Sequence, residues 1–271
     1  MDAPLPSDQP GDEPGQKPGD EPGGDDATRR PSRRGWVIGA IIVVALIAAA
    51  LVPTFFLNNK EPGLDRPDAA PEDVLKEVKE NFDAAEGVRI AVTSEDLADA
   101  DAALVSLDGT AVRPDGFSGE MIVRVLGRDA SGDILSVDGQ SYAQGFVIFP
   151  SWAEVDPEDF NAPDPGALID PDDGVSGLLT ATQDLEQGDT ERVGPNNEGT
   201  ATTYTGTLDA SVVRRIIPGA DDGDFDVTYQ VDDEENLLSA RLTGVFYPGS
   251  DAMTYVISFS DYGETIEITA P

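Results

Sequence analysis

A run of 22 uncharged residues from Trp36 to Leu57 separates an N-terminal part of the chain from a longer C-terminal part. The run is rich in Ile, Val, Leu and Ala, and as a helix it is long enough to cross a hydrocarbon core of about 30 Å. Four arginines within positions 29–34 precede it, and one lysine, Lys60, follows it. Because positive charge marks the cytoplasmic side, residues 35–57 are predicted to form a single transmembrane helix. The N-terminus is then cytoplasmic, and residues 60–271 lie outside the plasma membrane.

A cleaved export signal is the alternative interpretation of the same run. Ala48, Ala49 and Ala50 offer small residues for cleavage, and the segment SRRGWVI partly matches a twin-arginine signal. However, a charged region of 34 residues is long for a signal, and the run continues beyond the alanines. An uncleaved anchor is therefore favoured, and both interpretations export residues 60–271.

The segments on either side of the run are poor in large apolar residues. Residues 1–34 are predicted to form a disordered cytoplasmic tail with a basic juxtamembrane end, because their near-repeat of Pro, Gly, Asp and Glu cannot bury enough apolar surface. Residues 58–70 contain Pro62, Gly63 and Pro67 and are predicted to be a short linker. One extracytoplasmic domain is expected over residues 71–271.

Charge and missing residue types exclude several functions for this domain. Residues 60–271 hold 45 acidic and 12 basic side chains, so nucleic acid is not an expected partner. The chain has no histidine and no cysteine, which removes the imidazole base, the thiolate nucleophile and the usual zinc ligands. No enzyme, cofactor or metal site is predicted. Weak calcium binding at acidic clusters such as 170–173 and a carboxylate pair for glycoside hydrolysis remain as alternatives without a supporting motif.

Hydrophobic periodicity predicts an α+β domain. A helix begins at Pro71, and its apolar stripe consists of Val74, Leu75, Val78 and Phe82. After Gly87 the period changes to two, starting with Val88, Ile90 and Val92. Further strands are predicted at 120–127, 133–139, 140–149, 200–208, 225–231, 237–247, 253–260 and 264–269. Helical segments are predicted at 165–182, broken at Pro171, and at 210–217.

This pattern is typical of a large antiparallel sheet with a few helices covering one face. The apolar residues between helices and sheet fit either an ordinary core or an apolar ligand cavity, and periodicity alone leaves both open.

Five features of the domain occur in a familiar order. They are DGQSYA (138–143), Trp152, DPGALIDPDDGVSGLL (164–179), GTLDASVVRRIIP (206–218) and SDYGETIEITAP (260–271). In these features the chain resembles the LppX/LprAFG family of actinobacterial envelope proteins over about residues 72–271. The resemblance implies a strongly curved antiparallel sheet, a half-barrel, with helices covering its concave face around a large apolar cavity. It also implies binding of the acyl chains of a glycolipid, lipoglycan or triacylglyceride and transfer toward the cell envelope, in some members with a major-facilitator exporter.

The resemblance and strand alternation together nominate a cavity lining. On strand 120–127 the family's cavity side corresponds to Met121, Val123 and Val125, which leaves Leu126 facing outward. The covering helices add Leu168, Val175, Leu178, Leu179, Val212, Val213 and Ile216. The leading hypothesis is a membrane-anchored lipid carrier. The alternative is a non-enzymatic envelope interaction module of the same fold with a collapsed cavity.

The chain departs from the family in its anchor. Many members are lipoproteins held by an acylated cysteine, and this chain has no cysteine. The segment Trp36–Leu57 would then hold the domain at the membrane, with residues 58–70 as a tether of at most roughly 45 Å. Lipid handling near the membrane is therefore favoured over long-distance shuttling.

Overall fold

The computed structural model describes residues 69–97, 102–160, 162–194 and 199–271. The predicted tail at 1–34, the predicted transmembrane helix at 35–57 and nearly all of the predicted linker at 58–70 lie outside these residues. Within the described part of the chain, no helix is long and apolar enough to cross a membrane.

One open, curved antiparallel sheet of eleven strands dominates the described residues. The strands are β1 (Gly87–Glu95), β2 (Ala102–Val112), β3 (Gly116–Val125), β4 (Arg128–Val137), β5 (Gln140–Gln144), β6 (Ala153–Val155), β7 (Gln183–Val193), β8 (Gly199–Asp209), β9 (Asp224–Asp232), β10 (Leu237–Gly244) and β11 (Met253–Ser260). Their order across the sheet is β6-β5-β4-β3-β2-β1-β11-β10-β9-β8-β7. The pairing of β1 with β11 joins two meanders, and the predicted large antiparallel sheet is confirmed.

Short helices accompany the sheet. They are α1 (Pro71–Ala84), α2 (Val175–Ala181), α3 (Ala210–Val213) and two 3₁₀ helices at Pro157–Phe160 and Gly166–Ile169. The predicted broken helix at 165–182 is confirmed as a 3₁₀ turn followed by α2, with Pro171 between them. The predicted helix at 210–217 is regular only as far as Val213 and continues as turns to Pro218.

Helix α1 packs on the sheet through the predicted apolar stripe. Leu75, Val78 and Phe82 are at most 1% exposed. The Phe82 ring meets the Phe259 ring of β11 edge-on, at a centroid distance of 5.3 Å. Phe259 pairs with Ile90 of β1, so α1 covers the face toward which the buried residues of the central strands point.

One hydrophobic cluster runs from α1 through the sheet and the short helices to β11, and it contains nearly all the buried apolar side chains of the described residues. A continuous core in a segment of about 200 residues is large enough to fold alone. We therefore expect a fragment of residues 65–271, which contains this whole core, to fold separately.

Two predicted strand assignments are wrong. Residues 264–269 form no regular element, because both edges of the neighbouring β1 are already occupied by β2 and β11. The strand predicted at 140–149 ends at Gln144, and Gly145 takes a positive φ of 85° that interrupts the ladder. In two further strands, β2 and β7, apolar and polar residues do not alternate regularly. Strand β2 has a register shift between Leu104 and Ser106, and β7 is an exposed edge strand.

Two tyrosines satisfy the backbone at the irregularity in β2. The Leu104 amide donates to the Tyr247 hydroxyl at 3.0 Å, and the Tyr255 hydroxyl donates to the Leu104 carbonyl at 2.7 Å. The two hydroxyl oxygens lie 2.6 Å apart. Burial raises the pKa of both phenols, so they remain neutral hydrogen-bonding groups. This network replaces ladder bonds that the register shift removes.

Candidate functional site

An apolar cavity of about 300 Å³ lies against β3, β4 and β5. Two of its lining residues, Arg128 and Asp129, are charged, and the remaining thirteen are apolar. The apolar lining consists of Met121, Val123, Val125, Ala130, Ile134, Ala143, Phe146, Val147, Ile148, Phe149, Val155, Pro157 and Ala162. The volume lies at the low end of the range typical of ligand pockets.

Alternate residues of β3 form the floor of the cavity. Met121 and Val123 are 5% and 6% exposed and follow every second position of β3. Met121 pairs with Leu107 of β2, which pairs with Val92 of β1. Directly paired residues share a face, so the cavity lies on the face that the helices also cover.

A turn after β5 roofs the cavity. The Phe149 amide donates to the Phe146 carbonyl at 3.0 Å, which closes a β-turn over residues 146–149, here called the roof turn. Phe146 is buried and Phe149 half-buried at the base of the turn. Val147 and Ile148 form its apex and are 94% and 64% exposed. Because these two residues also line the cavity, it opens to solvent at this end.

The charged residues of the lining lie at the rim. The Arg124 Nε donates to Asp129 Oδ1 at 2.8 Å, an ion pair between neighbouring strands. Arg128 is exposed in the first position of β4. Charge is thus confined to the mouth, and the interior offers only apolar contacts.

Three of the ten residues nominated from sequence lie in the wall of this cavity: Met121, Val123 and Val125. The other seven are not among its lining residues. Val212 is half-buried, and six are buried: Leu168, Val175, Leu178, Leu179, Val213 and Ile216. They pack in the core around the short helices. The roof over the cavity is formed by residues after β5, whereas the resemblance nominated the helices 165–182 and 210–217 as its cover.

The roof turn is not predicted by the sequence pattern. Phe146, Val147, Ile148 and Phe149 are predicted to end a strand, whereas they form a turn in the structure. The signal for a turn was present, because Gly145 and Pro150 flank four consecutive apolar residues that do not alternate with polar ones.

A second, polar cleft of about 230 Å³ adjoins the 3₁₀ helix Gly166–Ile169. Two of its acidic side chains cap local turns: Asp164 accepts from the Gly166 amide at 3.0 Å, and Asp170 accepts from the Asp172 and Asp173 amides at 2.8 Å. In the described residues, no group of three or more acidic side chains is arranged to hold a metal ion. The cleft is explained by these turns.

The roof depends on a glycine in the floor. A methyl group on Gly132 of β4 would lie 2.3 Å from the Gln144 carbonyl oxygen and 2.4 Å from the Phe146 ring. We expect Gly132→Ala to displace Phe146 and to lower the free energy of unfolding by about 1–3 kcal/mol. Urea denaturation of residues 65–271 measures this loss.

Gly188→Ala is the matched control, because Gly188 lies in β7 and its nearest neighbour would be 3.5 Å away. We expect a change below about 0.5 kcal/mol at that exposed site. Equal losses in the two variants would show that Gly132 has no special role beneath Phe146.

Known proteins resemble this chain in sequence and in fold. The chain is 24% identical over 236 residues to the lipoarabinomannan carrier protein LprG of Mycolicibacterium hassiacum, covering 86% of this chain and 97% of that protein. The crystal structure of LprF from Mycobacterium bovis superposes with a TM-score of 0.61 at 19% identity, over 74% of this chain and 96% of LprF. The lipoprotein LppX of Mycobacterium tuberculosis gives a TM-score of 0.53 at 16% identity, over 74% and 100%.

The family assignment covers the domain from α1 to the C-terminal segment. The family model described as LppX_LprAFG lipoprotein matches residues 70–268. This range includes the whole described sheet and the cavity, and it confirms the resemblance found in the sequence. The chain belongs to the LppX_LprAFG lipoprotein family.

Proposed function

We propose that this protein is a non-enzymatic lipid carrier that holds acyl chains in the cavity against β3, β4 and β5. The observation that carries the proposal is the cavity itself, which is apolar inside, charged only at its rim and open at one end. The relative named a lipoarabinomannan carrier supports a glycolipid or lipoglycan as ligand, with triacylglyceride as a further member of the same acyl class.

The cavity removes the main barrier to moving a lipid through water. Exposure costs about 0.8 kcal/mol per methylene, so a sixteen-carbon chain in water costs on the order of 13 kcal/mol. Transfer from a bilayer to an apolar cavity exchanges one apolar medium for another. Its net free energy is therefore small, and loading is reversible, as a carrier requires.

The size of the cavity limits what it holds in this conformation. A volume of about 300 Å³ is twice that of an engineered cavity of about 150 Å³ that accepts benzene, which corresponds to room for on the order of a dozen carbon atoms. One acyl segment fits, and several complete chains do not. For longer ligands, we include in the proposed lining the seven helix residues nominated from sequence, because six of them belong to the same hydrophobic cluster as Met121 and Val123 and Val212 packs against that cluster.

The proposal includes a location. Residues 35–57 would anchor the protein as a single-pass plasma-membrane protein with the N-terminus in the cytoplasm, and the domain would work on the outer side. A major-facilitator exporter is the proposed protein partner. The alternative, an interaction module with a collapsed cavity, is less favoured because a cavity is open in the structure.

A photoactivatable fatty acid tests both the ligand class and the lining. Residues 65–271 would be loaded, irradiated, digested and mapped by mass spectrometry. We expect saturable labelling of peptides that contain Met121, Val123 or Phe146. Labelling of 166–179 and 210–216 by long chains would support the extended lining. Labelling that does not saturate, or is spread evenly over the surface, would contradict the carrier proposal.

A further inference from the structure

Exposed apolar side chains are concentrated at one end of the sheet. Among the described residues, the exposed large apolar side chains are Leu126 (82%), Val147 (94%), Ile148 (64%) and Ile266 (36%). Leu126 lies in the turn between β3 and β4, next to the cavity residue Val125. Val147 and Ile148 are the apex of the roof turn. Three of the four therefore surround the mouth of the cavity.

Local structure does not explain these apolar residues. Middle positions of turns favour Gly, Pro, Asn, Asp and Ser, yet the roof turn carries Val147 and Ile148 there. Leu126 and Gly127 have φ values of 51° and 67°, the left-handed conformation in which a two-residue hairpin favours Asn-Gly. A leucine is strained in that conformation and also exposed. Departures from local preference of this kind point to a functional surface.

A free cation lies beside this apolar surface. Of the ten cationic side chains in the described residues, nine take part in an ion pair, hydrogen bond or other contact, including Arg124 with Asp129. The side chain of Arg128 has no ion-pair or hydrogen-bond partner within the described residues and is exposed at the cavity rim. Its guanidinium group is therefore available to an external anion such as a lipid phosphate.

We propose that Leu126, Arg128, Val147 and Ile148, the docking tip, insert into the surface of a phospholipid bilayer. The three apolar side chains enter the headgroup region, and Arg128 binds a lipid phosphate. The tip consists of four side chains, far fewer than the roughly 20 to 30 residues per partner of a stable protein interface, but it is sufficient for a reversible membrane contact. The predicted tether at 58–70 keeps the bilayer within reach.

This inference rests on the proposed function in one respect, because it gives the tip the task of connecting the bilayer to the cavity. Val147 and Ile148 belong to the docking tip and to the lining at once. An acyl chain leaving the bilayer between these residues would pass from one apolar medium to another without crossing water. Docking and loading remain separate steps that different experiments measure.

Sedimentation with phosphatidylcholine vesicles tests docking. Residues 65–271 exclude the predicted membrane helix, which would otherwise bind vesicles by itself. We expect the wild-type domain to bind and the double variant Val147→Asp/Ile148→Asp to bind at least tenfold more weakly. Ile266→Asp is the matched control, because Ile266 lies at the end of the sheet opposite the docking tip. Its neighbours Glu264 and Ile268 contact Gly87 and Gly116, the first residues of β1 and β3, whereas Leu126 follows the last residue of β3.

A single label gives an independent readout. Since the chain has no cysteine, Val147→Cys can carry one environment-sensitive fluorophore. We expect its emission to shift to shorter wavelength with vesicles and to be quenched by lipids labelled in the headgroup region. A wild-type domain that does not bind vesicles, a double variant that binds like the wild type, or an unchanged emission would each overturn the proposal. Concentration-dependent dimers lost in the double variant, without vesicle binding, would assign the tip to a second copy instead.

Loading by a short-chain lipid below its critical micelle concentration separates docking from function. We expect Leu126→Asp, at a tip residue outside the cavity lining, to take up this soluble probe within twofold of the wild type, although it binds vesicles more weakly. Vesicle binding by a wild-type domain that takes up no probe would sink the carrier function and leave docking intact. Probe uptake by a wild-type domain that does not bind vesicles would overturn docking and leave the carrier function intact.

Discussion

Replacing Val123 by tryptophan is expected to abolish lipid loading while the domain remains folded. Val123 is 6% exposed and lies in the cavity floor, so an indole at this position occupies volume that an acyl chain would use. We expect uptake of a fluorescent acyl probe to fall at least tenfold, which corresponds to about 1.4 kcal/mol or more of binding free energy. Fluorescence titration of residues 65–271 measures this loss.

The stability of the same variant shows whether the space is really empty. In a tightly packed core, the extra atoms would overpack and cost about 1–3 kcal/mol. Because the indole enters a cavity, we expect the midpoint of thermal unfolding to change little. Ile122→Trp is the matched control, since Ile122 faces the other side of the same strand and should leave uptake unchanged. Normal uptake by a folded Val123→Trp domain would show that β3 does not line the lipid site.

Removal of the Arg113 side chain is expected to cause the largest loss of stability. Arg113 follows β2, and its guanidinium group donates to the Ala85 and Phe82 carbonyls at 3.0 Å each and to the Ile169 carbonyl. It also lies 3.6 Å from the Asp83 carboxylate. These bonds connect the end of α1 and the 3₁₀ helix Gly166–Ile169 to the sheet.

Arg113→Ala leaves these carbonyls without their charged donor. Charge-assisted hydrogen bonds contribute roughly 1.5–3 kcal/mol each and are not additive, so we expect the free energy of unfolding to fall by about 3 kcal/mol. The unfolding midpoint should fall by about 6–12 °C for a domain of this size. Calorimetry measures both quantities.

Arg89→Ala is the control for Arg113, because Arg89 pairs with Asp108 across β1 and β2 with both side chains at least one third exposed. Such a surface pair contributes at most about 1 kcal/mol. Arg113→Lys keeps the charge but loses the planar fork, and it should recover only part of the stability. Similar losses in Arg113→Ala and Arg89→Ala would contradict the proposed role of Arg113.

Residue patterns predicted those parts of the site that depend on regular elements. The strand period placed Met121, Val123 and Val125 on one face, the family resemblance assigned that face to a cavity, and in the structure the three residues line one apolar cavity. The stripe of α1 was legible for the same reason, since one side of an amphipathic element is buried whatever covers it. The sequence does not decide whether residues such as Leu178 and Val213 line a cavity, because an apolar side chain on a helix can pack in a core or face a cavity equally well.

Other parts depend on tertiary structure and were not predictable locally. The roof turn contains four consecutive apolar residues, a pattern that a buried strand also shows. Its direction is set by Gly145 and by the packing of Phe146 over Gly132, two residues 14 positions apart. Strand β7 was missed because its residues are almost all exposed and polar, and only its pairing with β8 makes it a strand.

Native mass spectrometry of residues 65–271, purified without added lipid, tests the central claim most directly. The account predicts a reproducible mass above that of the polypeptide, which corresponds to an acyl-chain lipid that dissociates at higher collision energy. Val123→Trp, prepared in parallel, should show the polypeptide mass with little or no lipid. A bare polypeptide mass for the wild-type domain, together with no uptake of the fluorescent acyl probe, would contradict the account.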